Sequence, residues 1–319
     1  MNFRIKEQYL IILLLVVFVA CGKEKNNYSE AEIEKTSAEL NQYFEKEFQK
    51  DIDDSPMLQT RLGYKSDYGK WDDLSHLKYA EDLKKAKKRL EYLKTVDVEA
   101  LNEESRLSYR LYKQQIENEI ADYDYRFYNY PVNQMHGYQS ELPAFLINMH
   151  RIDSVSDARD YISRLEGFPG VIEDIKGNIK IREQNGIVPP KFVFDKVLED
   201  SKNIIKGKPF GKASERSVLL EDFYTKVQAL DISEEEKRKL ISDAEQALIN
   251  KVKPAYENLI ATLENQQKRA TIEDGAWKFP KGIEFYNNAL KRFTTTNLTA
   301  EEIHEMGKSE VARIHRHHQ

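Results

Sequence analysis

The sequence predicts an all-α fold, an irregular array of many helices with little or no strand. Three observations predict it. Apolar residues recur at three- and four-residue spacing through most of the chain. Capping residues or a proline stand just before most of those segments. Strand signals are scarce: Phe192-Val193-Phe194 sits inside a better helical pattern, and only Trp277-Lys278-Phe279 alternates as an edge strand does.

The first element is a processing segment. Arg4 and Lys6 precede an unbroken apolar run, Leu10–Ala20. That run is too short for a spanning helix, which needs ~20 apolar residues, and suits a signal peptide over residues 1–20. Phe18-Val19-Ala20-Cys21 then reads as a bacterial lipobox, with Ala20 before the cut and Cys21 as the acceptor of the lipid. Cys21 is the only cysteine, so the mature chain forms no internal disulfide and relies on its core. These features predict a protein of the bacterial cell envelope, anchored to a membrane through lipid at its outer-membrane or periplasmic face. Residues 21–28 read as a polar tether and residues 29–319 as one helical domain.

The helices follow in order. Leu40, Tyr43, Phe44 and Phe48 mark the first, and Leu77, Leu83, Leu90 and Leu93 the second. Asn102 caps a helix running through Leu107, Leu111, Ile116, Ile120 and Tyr123. Ser156 opens Ala158–Glu166, Pro169 opens Val171–Gln184 with Gly186 to close it, and Pro190 opens Phe192–Ile205. Ser233 with Glu236 forms a capping box before Leu240, Ala244, Leu248 and Val252, and Pro254 kinks or interrupts that helix before Tyr256–Leu263. Beyond Pro280 a short amphipathic helix around Ile283–Phe293 ends at Thr294-Thr295-Thr296. Thr299 and Glu302 form another capping box, opening a helix through Ile303, Met306, Val311 and Ile314 with no stop signal. That pattern predicts an unfinished helix with an exposed, sticky apolar stripe.

The charge excludes one class of partner. A net charge of −5 with interspersed signs offers no basic stripe for nucleic acid. The run Lys84–Lys88 reads as a solvated helix face.

Catalytic signals are few. There is no Gly-x-Ser-x-Gly elbow and no phosphate-binding glycine loop. His304-Glu305-Met306-Gly307-Lys308 falls short of a His-Glu-x-x-His zinc helix, because Lys308 stands where the second ligand belongs. His315, His317 and His318 crowd the C-terminus and read as adventitious metal binders. No residue is singled out as catalytic and no metal ligand is assigned. Tyr109, Tyr112, Tyr123, Tyr125, Tyr128, Tyr130 and Tyr138 cluster in one region, where they suit packing between helices or a binding groove. Near them Met135–Glu141, with His136 and Glu141, is polar enough to line a cleft. Gly275, Trp277, Lys278 and Phe279 are the candidate substrate contacts: an exposed edge strand there would pair with a peptide backbone. The structural alternative is a rigid cap in which Trp277 plugs the core.

The C-terminal stretch also carries a resemblance. Gly275, Trp277, Pro280, Gly282, Tyr286, Thr294–Thr296, Leu298-Thr299, Glu301–His304, Gly307 and Glu310–Ile314 match a family pattern. Upstream, Pro56, Thr60, Leu62-Gly63, Asp67-Tyr68 and Asp73–Ser75 echo it, as do Tyr161, Arg164-Leu165, Pro169, Gly186, Val188 and Pro190. The chain resembles domain of unknown function 885, a bacterial family, often lipoproteins, related by motif to zinc metallopeptidases. The resemblance implies the N-terminal part of a gluzincin-like helical peptidase fold, with peptide as substrate and zinc as cofactor of the whole protein. Full members are about twice as long, and their second half carries His-Glu-x-x-Pro-Gly-His-His, absent from this sequence. The expectation is therefore a non-catalytic half that holds no cofactor itself. The alternative is a lipid-anchored helical binding or scaffolding protein.

Overall fold

A computed structural model describes residues 28–317. The expected signal peptide, Cys21, the expected tether up to Asn27 and His318 lie outside the described residues.

The described chain is helical throughout, and among the described residues no β-strand forms; one isolated bridge joins Lys208 and Arg216. Helix α1, Glu30–Asp53, opens with a full capping box between Ser29 and Glu32. Helix α2, Pro56–Leu62, has Pro56 in its first turn and closes at Gly63. Helices α3, Lys78–Leu93, and α4, Glu103–Asp122, pack with α1 on a small core of Leu40, Leu93, Leu101 and Tyr109. Asn102 caps α4 as expected, its side chain accepting from Ser105 N. The buried face of α4 is the expected one only in part: Ile116 is fully buried. Leu107 and Leu111 are 49% and 64% exposed, because Tyr109 turns inward and donates to Leu93 O at 3.1 Å. Phe48 likewise lies half exposed on α1.

A larger core is built by α5, Tyr138–Met149, α6, Val155–Gln184, α7, Lys191–Ile204, α8, Val218–Gln228, α9, Glu234–Ala247, and α10, Lys253–Gln267. Helix α6 is its axis. It is one helix where the sequence suggested two, capped by Ser154 rather than Ser156 and running through Pro169. A mid-helix proline costs about 3 kcal/mol. Burial on both sides outweighs that: Tyr161, Leu165, Phe168, Ile172 and Ile175 all pack into the same core, at about 1.5–3 kcal/mol for each large apolar side chain. Gly186 ends α6 at φ +76, with Ile187 N bonding Arg182 O and Gly186 N bonding Glu183 O, the two bonds of a Schellman close.

Pro254 interrupts the regular helix, standing in the first turn of α10 just after a change of hydrogen-bond pattern. Having no N–H, it cannot donate to Asn250, and the wider π-turn Leu248–Val252 joins α9 to α10.

A buried polar knot ties α2 and the loop after it to the large core. Arg164, fully buried, donates to Lys70 O, Thr60 Oγ1 and His150. Tyr68 donates to Arg151 O and accepts from Arg151 N. Trp71 Nε1 donates to Arg164 O at 2.8 Å, and Gly167 leaves room for its ring. These donors satisfy carbonyls, a hydroxyl and an imidazole nitrogen, so the loop before α3 is stitched onto α6.

Past α10, a single 3₁₀ turn, Ala276–Lys278, leads to α11, Gly282–Thr294, and then α12, Ala300–His317. Thr295 stops α11 in the left-handed conformation, φ 54. Thr299 and Glu302 form the expected capping box of α12. Every α12 side chain described is exposed except half-buried Ile303.

Candidate functional site

A cleft of about 1190 Å³ runs between the small core and the large one. Helices α1, α3 and α4 form one wall, and α6 with the Tyr123–Glu141 segment forms the floor. Helix α11 closes the far side with Phe285, Asn288, Arg292 and Phe293.

The floor is rigid because Arg182 holds it. This guanidinium is 4% exposed and has no carboxylate partner. Its Nε donates to Asn129 O, Nη1 to Asn178 O and Oδ1, and Nη2 to Tyr79 OH and Arg126 O, at 2.7–3.3 Å. All five N–H groups are thus satisfied, and the loop after α4 is pinned to α6. Arg126 stacks over Tyr123 and Phe127 at 4.0 and 4.6 Å.

Charge along the walls is mostly self-paired. Arg89 bonds Glu47 at 2.9 Å and Asp51 at 2.5 Å, joining α3 to α1. Burial opposes the Arg89 charge, but Asp51 and Glu47 overcome it and hold its pKa above the ordinary range. Lys85 pairs with Asp54 and Lys78 with Asp82. On the far side Arg292 grips Asp122 at 2.9 Å and Asn118 O at 3.0 Å, and Asn288 donates to Asp122 at 2.6 Å, so α11 is docked on the end of α4.

The aromatic lining is Tyr79, Tyr123, Tyr125, Tyr130, Tyr138, Phe285 and Phe293. Burial pushes the Tyr130 phenol up to about 12. Burial, then the neighbouring Tyr79, Glu141 and Asp72, raises Tyr138 as well. Both phenols therefore stay protonated near neutrality and can donate to a bound group. His136 and Glu141 are exposed at the mouth. The tyrosine-rich stretch divides its labour: Tyr109 packs the small core, while Tyr123, Tyr125, Tyr130 and Tyr138 face the cleft.

The Gly275–Phe279 segment behaves differently from its expectation. It forms the 3₁₀ turn, with no edge strand for a peptide to join. Nor does Trp277 plug the core; it is 65% exposed, and Phe279, 8% exposed, is the buried ring. Phe279 sits among Tyr128, Tyr130 and Phe285, and Tyr128 OH donates to Pro280 O. Lys278 Nζ turns to Glu273 O at 2.8 Å, and its partial burial lowers its pKa. The two glycines are required by crowding: a Cβ on Gly275 would meet the Trp277 ring at 2.0 Å, and one on Gly282 would meet Ala276 O at 2.0 Å. None of Gly275, Trp277, Lys278 and Phe279 lines the cleft; Phe279 packs against Phe285 of the helix that does.

On α12, Lys308 Nζ bonds Glu305 at 2.7 Å, beside an exposed His304. Among the described residues no group of three or more His, Cys, Asp or Glu side chains is placed to hold a metal ion. A smaller groove of about 540 Å³ between α6 and α9, edged by Arg159, Glu166, Lys239 and Asp243, shows no such set either. Among the described residues no helix is long and apolar enough to cross a membrane.

Sequence reasoning missed Arg126, Arg182, Asn288 and Arg292. Arg182 left a signal: it continues the buried stripe Ile172, Ile175, Ile179, where an apolar residue is expected. The other three gave none.

The fold has a solved counterpart. The crystal structure of a candidate lipoprotein from Colwellia psychrerythraea superposes with a TM-score of 0.73 at 19% identity, over 88% of this chain and 49% of that one. The chain thus spans about half the length of that protein. A comparison with curated proteins finds no match. The model of a bacterial protein family of unknown function, DUF885, matches residues 56–319, more than half of the chain, and the chain belongs to that family.

Proposed function

We propose that this chain is the ligand-binding, non-catalytic half of an exported lipoprotein resembling a zinc-dependent peptidase, anchored in the bacterial envelope through lipid on Cys21. One observation carries the reading: the cleft of about 1190 Å³ between two helical cores, lined by tyrosines and by mostly self-paired charges. Such a lining suits an extended peptide. The rings cover apolar side chains, and protonated phenols donate to main-chain carbonyls. The lipobox supports the anchor, and so does the lipoprotein description of the Colwellia psychrerythraea protein. That protein's greater length supports a division into halves.

The test is binding of a fluorescent mixed-sequence peptide library to the purified chain, with mass spectrometry of the peptides afterwards. Saturable binding without cleavage is expected. Phe293→Ala and Glu141→Gln, both at exposed positions, should weaken it without unfolding the chain. Binding indifferent to both substitutions would remove the cleft from the reading. Peptide cleavage by the chain alone would overturn its non-catalytic part. For the anchor, an unmodified Cys21 in protein recovered from membranes would be decisive against it.

A second reading, a lipid-anchored scaffold without a small ligand, is favoured by the bare apolar face of α12.

A further inference from the structure

We infer that the α3–α4 hairpin is a face that docks on an anionic phospholipid surface. The inference rests on the proposed lipid at Cys21. Two observations carry it: where the chain leaves the fold for Cys21, and what the hairpin presents there. Tyr28 OH donates to Asp97 in the turn of the hairpin, and Asn102 N donates to Ser37 Oγ at 2.9 Å. The start of α1 is thus fastened between the end of α3 and the start of α4. Tyr28 follows Cys21 by seven residues, and seven residues span at most about 25 Å. A lipid on Cys21 therefore keeps the membrane within that distance of Tyr28. At 1.5 Å per residue, Lys84 stands about 14 Å from the end of α3, and Leu107 about 8 Å from the cap of α4.

Contacts within the small core set which side of each helix is free. On α3, Arg89 and Tyr92 turn to Glu47 and Tyr43 of α1. On α4, Tyr112 turns to Phe44 of α1, and Tyr109 to Leu93 of α3. At ~100° per residue the side left over carries Lys84, Lys87 and Lys88 on α3 and Leu107 and Arg110 on α4, with Leu111 at its edge. All six are exposed. The acids nearby are already matched: Lys78 and Lys85 hold Asp82, Lys94 holds Glu91, and Lys113 holds Glu117. Lys84, Lys87, Lys88 and Arg110 form no ion pair among the described residues. Leucines beside such cations suit a lipid interface. The apolar side chains enter the headgroup boundary, and each cation near an anionic surface gains about 1 kcal/mol. Glu103 and Glu104 oppose this, but they lie in the first turn of α4, where the helix N-terminus offsets their charge. The whole chain carries −5, so attraction to an anionic surface has to come from this local face.

The experiment uses the mature chain, residues 21–319, carrying Cys21→Ser so that no lipid contributes. It is floated with vesicles of equimolar phosphatidylglycerol and phosphatidylcholine, and with vesicles of phosphatidylcholine alone. Binding to the first and not to the second is expected, and it should be lost as salt rises to about 1 M. Lys84→Glu, Lys87→Glu and Lys88→Glu together should weaken it by about tenfold or more. An environment-sensitive dye on Leu107→Cys should shift to the blue on the anionic vesicles, while the same dye on Ser242→Cys, exposed on α9, should not. These positions are exposed, so the cores are untouched and circular dichroism should be unchanged. Equal binding to both vesicles, binding to neither, or binding indifferent to the triple reversal would overturn the inference. The anchor is judged separately, by the mass of Cys21 in protein taken from membranes. An acylated Cys21 with no vesicle binding by the Cys21→Ser chain would keep the anchor and remove the docking face.

Discussion

Arg164 Nη1 lies 2.9 Å from His150 Nδ1, and both groups are buried. A guanidinium only donates, so Nδ1 must accept. The imidazole proton is then on Nε2, which donates to Asp157 O at 2.9 Å. A neutral histidine is thus a structural part, set between the end of α5 and the start of α6. Lys226 adds a second cation at that helix end, donating to Leu146 O, Ile147 O and His150 O.

Acid should therefore loosen the large core. Burial, then the Arg164 and Lys226 charges, pushes His150 down to about 3, although the Asp157 carbonyl pulls the other way. In the unfolded chain the ring titrates near 6.5. The folded pKa is the lower one, so the unfolded chain binds the proton first as pH falls. Stability is complete above about pH 6.5 and is lost progressively towards pH 3, by about 2 kcal/mol at pH 5. Urea unfolding at pH 7 and pH 5 measures the loss. The His150→Gln chain can accept from Arg164 and donate to Asp157 O without titrating, so its loss should be smaller by that amount. Equal losses in both chains would show that the ring is not responsible.

Much of this fold was legible because helix signals are local. Asn102, Ser233 and Gly186 mark their helix ends by side-chain or backbone chemistry within a few residues, and each acts where expected. Pro169 misled because its local cost is overridden by burial of Phe168 and Ile172, which no local pattern reveals. The cleft was half legible. The Tyr123–Glu141 stretch announced itself by composition. The wall from α11 did not, because Arg292 reaches Asp122 across 170 residues of sequence.

Chelation should leave the chain unchanged. Lys308 occupies the position a second histidine would need, and its ammonium is bonded to Glu305. The purified full chain should hold less than one zinc per chain after dialysis, and EDTA should not move its unfolding midpoint. A stoichiometric metal whose removal lowers the midpoint would mean that His304 or the terminal histidines form a real site.

The aromatic clamp makes an unequal pair of substitutions. Phe279 is buried among Tyr128, Tyr130 and Phe285, whereas Trp277 is mostly in solvent. Phe279→Ala should cost about 3 kcal/mol and loosen α11. Trp277→Ala should stay within about 0.5 kcal/mol. Hydrogen exchange separates the outcomes: faster exchange across Gly282–Thr294 is expected in the first variant alone. If Trp277→Ala loosened α11 equally, Trp277 would be part of the clamp.

The end of α11 carries backbone strain at Thr295. Its φ of 54 is a left-handed conformation that suits glycine and penalises a β-branched residue. Glycine there removes a steric cost of about 1–2 kcal/mol. It also frees the unfolded chain, which offsets about 0.5–1 kcal/mol. Thr295→Gly should therefore be neutral or stabilising by up to about 1 kcal/mol. The neighbouring Thr294 gives the contrast. It is the last residue of α11, and its hydroxyl bonds Leu290 O at 2.9 Å. Thr294→Gly should destabilise by about 1 kcal/mol through lost helix propensity and that bond. Chemical unfolding of the two variants gives the sign of each effect. Equal destabilisation would mean that the left-handed turn at Thr295 is not kept in solution.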